Sequence, residues 1–98
     1  MAITTEGHTK MKDWLQALIK EGRYTIAGVA KTTPIFKVER NGDVITFYLY
    51  LDNNISGTVT KFELIDKDGT VFDDQPDNIV KPSLNGLLAT FKYTVRRV

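Results

Sequence analysis

Two alternating stretches separated by Asn41-Gly42 constrain this chain more than any other feature. From Ile35 to Arg40, Phe36 and Val38 alternate with Lys37 and Glu39. From Asp43 to Asp52, Ile45, Phe47, Leu49 and Leu51 alternate with Val44, Thr46, Tyr48 and Tyr50. A period of two belongs to a strand, because successive side chains leave opposite faces. Asn-Gly tolerates the positive φ that a tight hairpin demands. The segment therefore reads as an antiparallel hairpin, and any fold must place a sheet around it.

The rest of the chain after Gly22 follows the same grammar. Tyr24 to Lys31 is an apolar, β-branched strand weakened or bulged at Gly28, and Pro34 ends the run. Asn53-Asn54 turns the chain into Thr58–Asp66, where Thr60, Phe62 and Leu64 alternate with Val59, Lys61, Glu63 and Ile65. Lys67-Asp68-Gly69 is a further tight turn, leading to a short strand over Thr70–Phe72. Asp73 to Gly86 reads as a polar loop stiffened by Pro76 and Pro82, with Ile79-Val80 tucked inward. Leu87 to Val98 forms the last strand, with Leu87, Ala89, Phe91, Tyr93 and Val95 on one side.

Before the strands lies one helix. Met11, Trp14, Leu15, Leu18 and Ile19 fall on a single stripe of period 3.6, opposite Lys10, Lys12, Asp13, Gln16, Lys20 and Glu21. Thr9 or Thr5 supplies an N-cap and Gly22 a left-handed stop, which predicts a helix over about 8–21 packed on one sheet face, with Trp14 in the core. The expected architecture is mainly β: a single domain over residues 1–98, an antiparallel β-sandwich or open barrel with one N-terminal amphipathic α-helix and strands from about 23 to 98.

Composition limits the chemistry. The 98 residues carry 13 Lys+Arg and 12 Asp+Glu, a net charge of +1, so no global field recruits nucleic acid or an anionic membrane. Without cysteine there is no disulfide, thiolate metal site or cysteine nucleophile. No apolar stretch has the length of a membrane span or a secretory leader. His8, the sole histidine, sits in the polar lead-in to the helix and reads as a solvent-facing or capping residue without a catalytic or metal-binding partner. Asp66, Asp68, Asp73, Asp74 and Asp77 are the best metal candidates, but Thr70 replaces the third alternating acid and no glutamate closes a calcium loop. The expectation is a hairpin turn and a solvated acidic segment, with no metal, cofactor or catalytic residue. Lys37, Lys61, Lys92, Arg96 and Arg97 interleave with Tyr48 and Tyr50 as in a single-strand nucleic-acid platform, yet Glu39, Glu63 and Asp52 cancel that field.

The second apolar set on the strands, Val44, Tyr48, Tyr50, Val59 and Ile65, is left over once one face is given to the core. Either a partner sheet within the chain or a neighbouring subunit covers it. These five are the candidate interface residues, with Tyr48 and Tyr50 foremost, because a phenol suits a surface that is apolar at one end and wet at the other.

The opening Met1-Ala2-Ile3-Thr4-Thr5-Glu6-Gly7, running into Asp13-Trp14-Leu15, resembles the start of small bacteriophage virion proteins of the tail- and head-fibre type. The stretch from Gly57 to Gly69 is similar to their strand–turn–strand units. The resemblance implies a virion structural or assembly module, as in a tail, baseplate, fibre base or capsid decoration. It implies other virion proteins as partners, a homo-oligomer of three or more copies, assembly in the host cytoplasm and no enzymatic activity, while the charge balance argues against nucleic-acid or membrane partners. The alternative is a small carbohydrate- or peptide-binding β module in which Tyr48, Tyr50 and Trp14 supply stacking faces.

Overall fold

A computed structural model describes residues 3–52, 54–81 and 86–95. Helix α1 spans Thr5–Leu18. Thr4 is its N-cap, the Thr4 hydroxyl accepting from the amide of Gly7 at 3.0 Å. It ends three residues earlier than its stripe predicts because Ile19 turns extended (φ −82°, ψ 120°) and begins β1, Ile19–Ile26. The Leu18 carbonyl, orphaned at the helix end, accepts from the Lys67 amide at 2.9 Å, so no glycine stop is needed there. Gly22 lies inside β1, where the Leu49 side chain fills the space a β-carbon would occupy.

The apolar stretch after Tyr24 is two strands rather than one. β1 pairs with β2, Val29–Pro34, through an Ala27-Gly28 turn. Both turn residues have positive φ, 53° and 78°, the signature of a type I′ hairpin. β3 (Lys37–Asn41) and β4 (Val44–Leu51) form the hairpin expected from their alternation, but the loop residues are Gly42-Asp43, with positive φ at Gly42 only. That is the pattern of a type II′ turn. β5 (Gly57–Asp66), β6 (Val71–Lys81) and β7 (Leu87–Thr94) complete the fold.

The strands make two antiparallel sheets, of order β2-β1-β5-β6 and β3-β4-β7, which face each other as a β-sandwich. Ile45, Phe47, Leu49 and Leu51 from β4 meet Val59, Phe62 and Leu64 from β5, every one at most 2% exposed. Leu15 and Ile19 join this core from the helix end.

Three departures from the alternation pattern have physical causes. β6 replaces the expected polar loop: it is a sheet edge, where solvent takes both side-chain sets and Pro76 costs no internal ladder bond. Val59 turns inward with Phe62 and Leu64 because pairing slips on both sides of Thr60, between Val59 and Lys61 against β6 and between Thr25 and Ile26 against β1. That β-bulge adds one residue, and the Thr60 hydroxyl donates to the Thr25 carbonyl. Trp14 is 64% exposed, whereas His8 is buried, the reverse of what the helical stripe suggests. Asn53, Pro82, Arg96, Arg97 and the end of the expected last strand lie outside the described residues, as do Met1 and Ala2.

Candidate functional site

The outer face of the β3-β4-β7 sheet is built from residues that the alternation of β4 turns away from the core. With Ile45, Phe47, Leu49 and Leu51 inside, Val44, Thr46, Tyr48 and Tyr50 must point out. The pairing register supplies their neighbours. Asn41, Val44 and Thr94 form one cross-strand row, Glu39, Thr46 and Lys92 the next, and Lys37, Tyr48 and Thr90 a third. Tyr50 pairs with Leu88 beyond them. On the far side of Tyr50 stands Phe36, its ring 5.2 Å away between centroids, held there because its amide donates to the Tyr48 carbonyl at 2.8 Å.

The face thus has two halves. Phe36, Tyr50 and Leu88 make an apolar end and are 59%, 39% and 49% exposed. The other end is a shallow hollow of about 240 Å³ lined by Glu39, Asn41, Val44, Thr46, Tyr48 and Lys92. Along its wall Lys37 Nζ lies 2.9 Å from Glu39 Oε1. The hydrogen bond from Lys37 holds the Glu39 carboxyl below its ordinary range, with its charge and the Tyr48 hydroxyl adding to the effect. The same bond raises the Lys37 ammonium. The face thus sets aromatic surface beside a small group of polar side chains.

Helix α1 braces this face from the end. His8 Nε2 lies 2.5 Å from the Val95 carbonyl and 3.3 Å from Asp43 Oδ1. Both are acceptors, so this nitrogen carries the proton and donates. Lys12 Nζ donates to the Gly42 carbonyl at 2.7 Å, and Arg40 Nη1 donates to Asp13 Oδ1 at 2.5 Å. The β3–β4 turn is thereby fastened to the helix, which accounts for the burial of a histidine expected at the surface.

Of the five candidate interface residues, the structure brings Val44, Tyr48 and Tyr50 onto this one face. It does not bring Val59 or Ile65 there. Val59 is fully buried between the sheets, and Ile65, 4% exposed, lies on the other sheet beside Glu21 and Val71. Phe36, Leu88, Glu39 and Lys92 are the additional members. Leu88 was legible, since a strand that buries Leu87 and Ala89 must turn Leu88 outward. Phe36 was not, because it precedes β3 in an irregular link and leaves the side that its alternation with Val38 implies.

The remaining candidates separate. Lys61 is on the β1-β5-β6 side, 3.9 Å from Asp74, and does not share a surface with Lys37 and Lys92. The acidic residues serve the backbone instead: Asp66 Oδ1 accepts from the amides of Asp68 and Thr70 at 2.9 and 3.0 Å, and Asp73 accepts from Asp74 N and from the Tyr93 hydroxyl. Among the described residues no group of three His, Cys, Asp or Glu side chains is placed to hold a metal ion, and no helix is long and apolar enough to cross a membrane. Comparison with protein-family models, with curated proteins and with solved structures finds no match to this chain.

Proposed function

We propose that this protein is a non-catalytic assembly module that acts by protein–protein association through the outer face of the β3-β4-β7 sheet, as a structural component of a bacteriophage virion. The observation that supports the association reading is the exposed aromatic row. Phe36 and Tyr50 stack on each other and, with Leu88, hold apolar surface in water on the face of a sheet whose other side is fully packed. Exposed apolar surface gathered in one patch costs hydration free energy that burial against a partner recovers. The virion context rests on the resemblance of residues 1–15 and 57–69 to small tail- and head-fibre proteins. Its partners in this reading are other virion proteins and further copies of itself. Mass spectrometry of purified particles of the encoding phage tests the proposal: the chain is expected at stoichiometric copy number, and its absence overturns the reading.

A second reading draws on the hollow beside Tyr48. Glu39 and Lys92 flank Thr46 there, an arrangement suited to hydrogen-bonding a sugar or peptide against an aromatic ring. Glycan and peptide arrays that return no binding remove it.

A further inference from the structure

The two sheets present four edge strands, and three are guarded against pairing with another chain. β2 carries Lys31 and ends on Pro34, β3 carries Lys37, Glu39 and Arg40, and β6 carries Asp73, Asp74, Pro76 and Asp77. Proline removes a ladder donor, and charges set opposite like charges repel, so each of these discourages a second strand. β7 has neither device. Over its eight residues, Leu87–Thr94, it has no proline and one charge, Lys92. Among the described residues its only ladder partner is β4, and along its other edge runs a hollow lined by Leu88, Ala89 and Thr90 together with Gln75, Asp77 and Ile79 of β6. The contacts of Tyr93 with Phe47, Phe72 and Asp73 come from its side chain, which alternation turns to the inner face, and use no main-chain group of β7.

The sequence of β7 is also complementary to itself. In an antiparallel pair centred on Thr90, Thr90 lies opposite its own counterpart and Leu88 opposite Lys92, whose alkyl stem covers it. On the inner face Ala89 meets Phe91, small against large, and Leu87 meets Tyr93. A register centred on Lys92 sets two ammonium groups opposite each other, and one centred on Phe91 opposes two large rings. Of these three registers only the one centred on Thr90 matches both size and charge, and it pairs the whole of Leu87–Tyr93. It is also continuous with the face described above, extending the row Lys37, Tyr48, Thr90 into the same row of the second copy.

We infer that two copies of this chain join through β7, paired antiparallel about Thr90, to make one six-stranded sheet that displays two sets of Phe36, Tyr48 and Tyr50 side by side. The inference rests on the association reading and specifies its symmetry: an isologous two-fold, in which residue i of each copy meets residue j of the other, rather than a ring of three. Main-chain hydrogen bonds along the two edges supply affinity, as in other strand-addition interfaces.

The absence of cysteine makes a direct test available. Residues directly opposite in an antiparallel pair have Cα atoms ~4.5–5.5 Å apart, within disulfide reach. Mild oxidation of the Thr90→Cys variant is expected to give a covalent dimer of twice the 11.1 kDa chain mass. The Thr46→Cys variant, on the same face but on the central strand, stays single. Thr90→Lys sets two cations opposite each other at an exposed position and is expected to weaken dimerisation about fivefold or more, with an unchanged circular dichroism spectrum. The inference is overturned if the wild-type chain sediments at 11.1 kDa at millimolar concentration. Equal crosslinking of the Thr46→Cys and Thr90→Cys variants also overturns it, as does undiminished dimerisation of Thr90→Lys. A chain that is monomeric alone yet present in purified particles contradicts the β7 pairing and leaves the assembly role standing. A dimer in solution that is absent from particles does the reverse.

Discussion

The two outer faces of the sandwich look alike in the sequence and differ in the fold. On the β1-β5-β6 side the chain satisfies its own groups. Glu63 is 4% exposed and takes a two-pronged bond from Arg23, with Nε to Oε1 at 2.8 Å and Nη2 to Oε2 at 3.0 Å. Ile65 is buried beside it. On the β3-β4-β7 side the central strand instead turns a half-buried Tyr48 and an exposed Tyr50 outward, with Phe36 and Leu88 around Tyr50. Both central strands carry apolar residues on two sides, but Ile65 is covered within the chain whereas Tyr50 is 39% exposed; only on the edge strand β6 does the first sheet leave Val71 and Val80 exposed. Two-sided apolarity in a strand therefore has two meanings, and neighbouring strands decide between them.

The largest expected effect falls on the core that both faces share. Leu49 is fully buried and fills the space over Gly22 of the opposite sheet. Leu49→Ala is expected to cost about 3 kcal/mol in urea unfolding, since the cavity cannot be refilled by a glycine. A smaller cost breaks the closed face alone. Glu63→Gln is expected to lose about 1.5 kcal/mol at pH 7, because a two-pronged ion pair becomes a single bond from the guanidinium to a neutral amide oxygen.

That loss carries a pH signature. The hydrogen bonds from Arg23 hold the Glu63 carboxyl below its ordinary value, against the opposing effect of burial. A group with a lowered folded pKa stabilises the protein above its unfolded pKa, about 4.3 for glutamate, and ceases to as pH falls through the folded value. The gap between wild type and Glu63→Gln is thus expected to be full at pH 6–7 and to close on acidification below ~4. A gap that stays constant across this range would show that the ion pair is not what holds this face.

The sheets' hairpins extend the comparison at smaller scale. Gly42 supplies the positive φ of one turn at no steric cost, while Ala27 adopts 53° in the other. Ala27→Gly is expected to stabilise by about 0.5–1 kcal/mol, against the 1–2 kcal/mol that an alanine loses in that conformation. The smallest stability effect belongs to the open face. Phe36→Ser is expected to change unfolding free energy by no more than about 0.5 kcal/mol while weakening association, the combination that distinguishes a partner-facing ring from a core ring.

How much of this was readable in advance depended on whether a residue obeyed local alternation. The β3–β4 hairpin and the inward and outward sets of β4 follow directly from period two, and with them the positions of Val44, Tyr48 and Tyr50. The errors gather where tertiary pairing overrides local pattern. Ile19 to Glu21 continue a helical stripe, yet pair with β5. Ala27 is no turn signal by itself, so the sequence of the first hairpin reads as one strand. Polar residues and Pro76 suggested a loop where an edge strand tolerates both. The Thr60 bulge moved Val59 by one step from surface to core, because a single inserted residue inverts every face beyond it. The burial of His8 escapes local pattern for a related reason: it depends on Asp43 and on the carbonyl of Val95, far away in the chain.

The central claim, that association uses the outer face of the β3-β4-β7 sheet and not that of the β1-β5-β6 sheet, is tested most directly by hydroxyl-radical footprinting. Labelling is compared between the free chain and the chain in purified particles. Phe36, Tyr48 and Tyr50 are expected to lose most of their labelling on assembly, while Val71 and Val80 on β6, 40% and 74% exposed, keep theirs. Protection of Val71 and Val80 with Phe36 and Tyr50 still fully labelled would contradict the account.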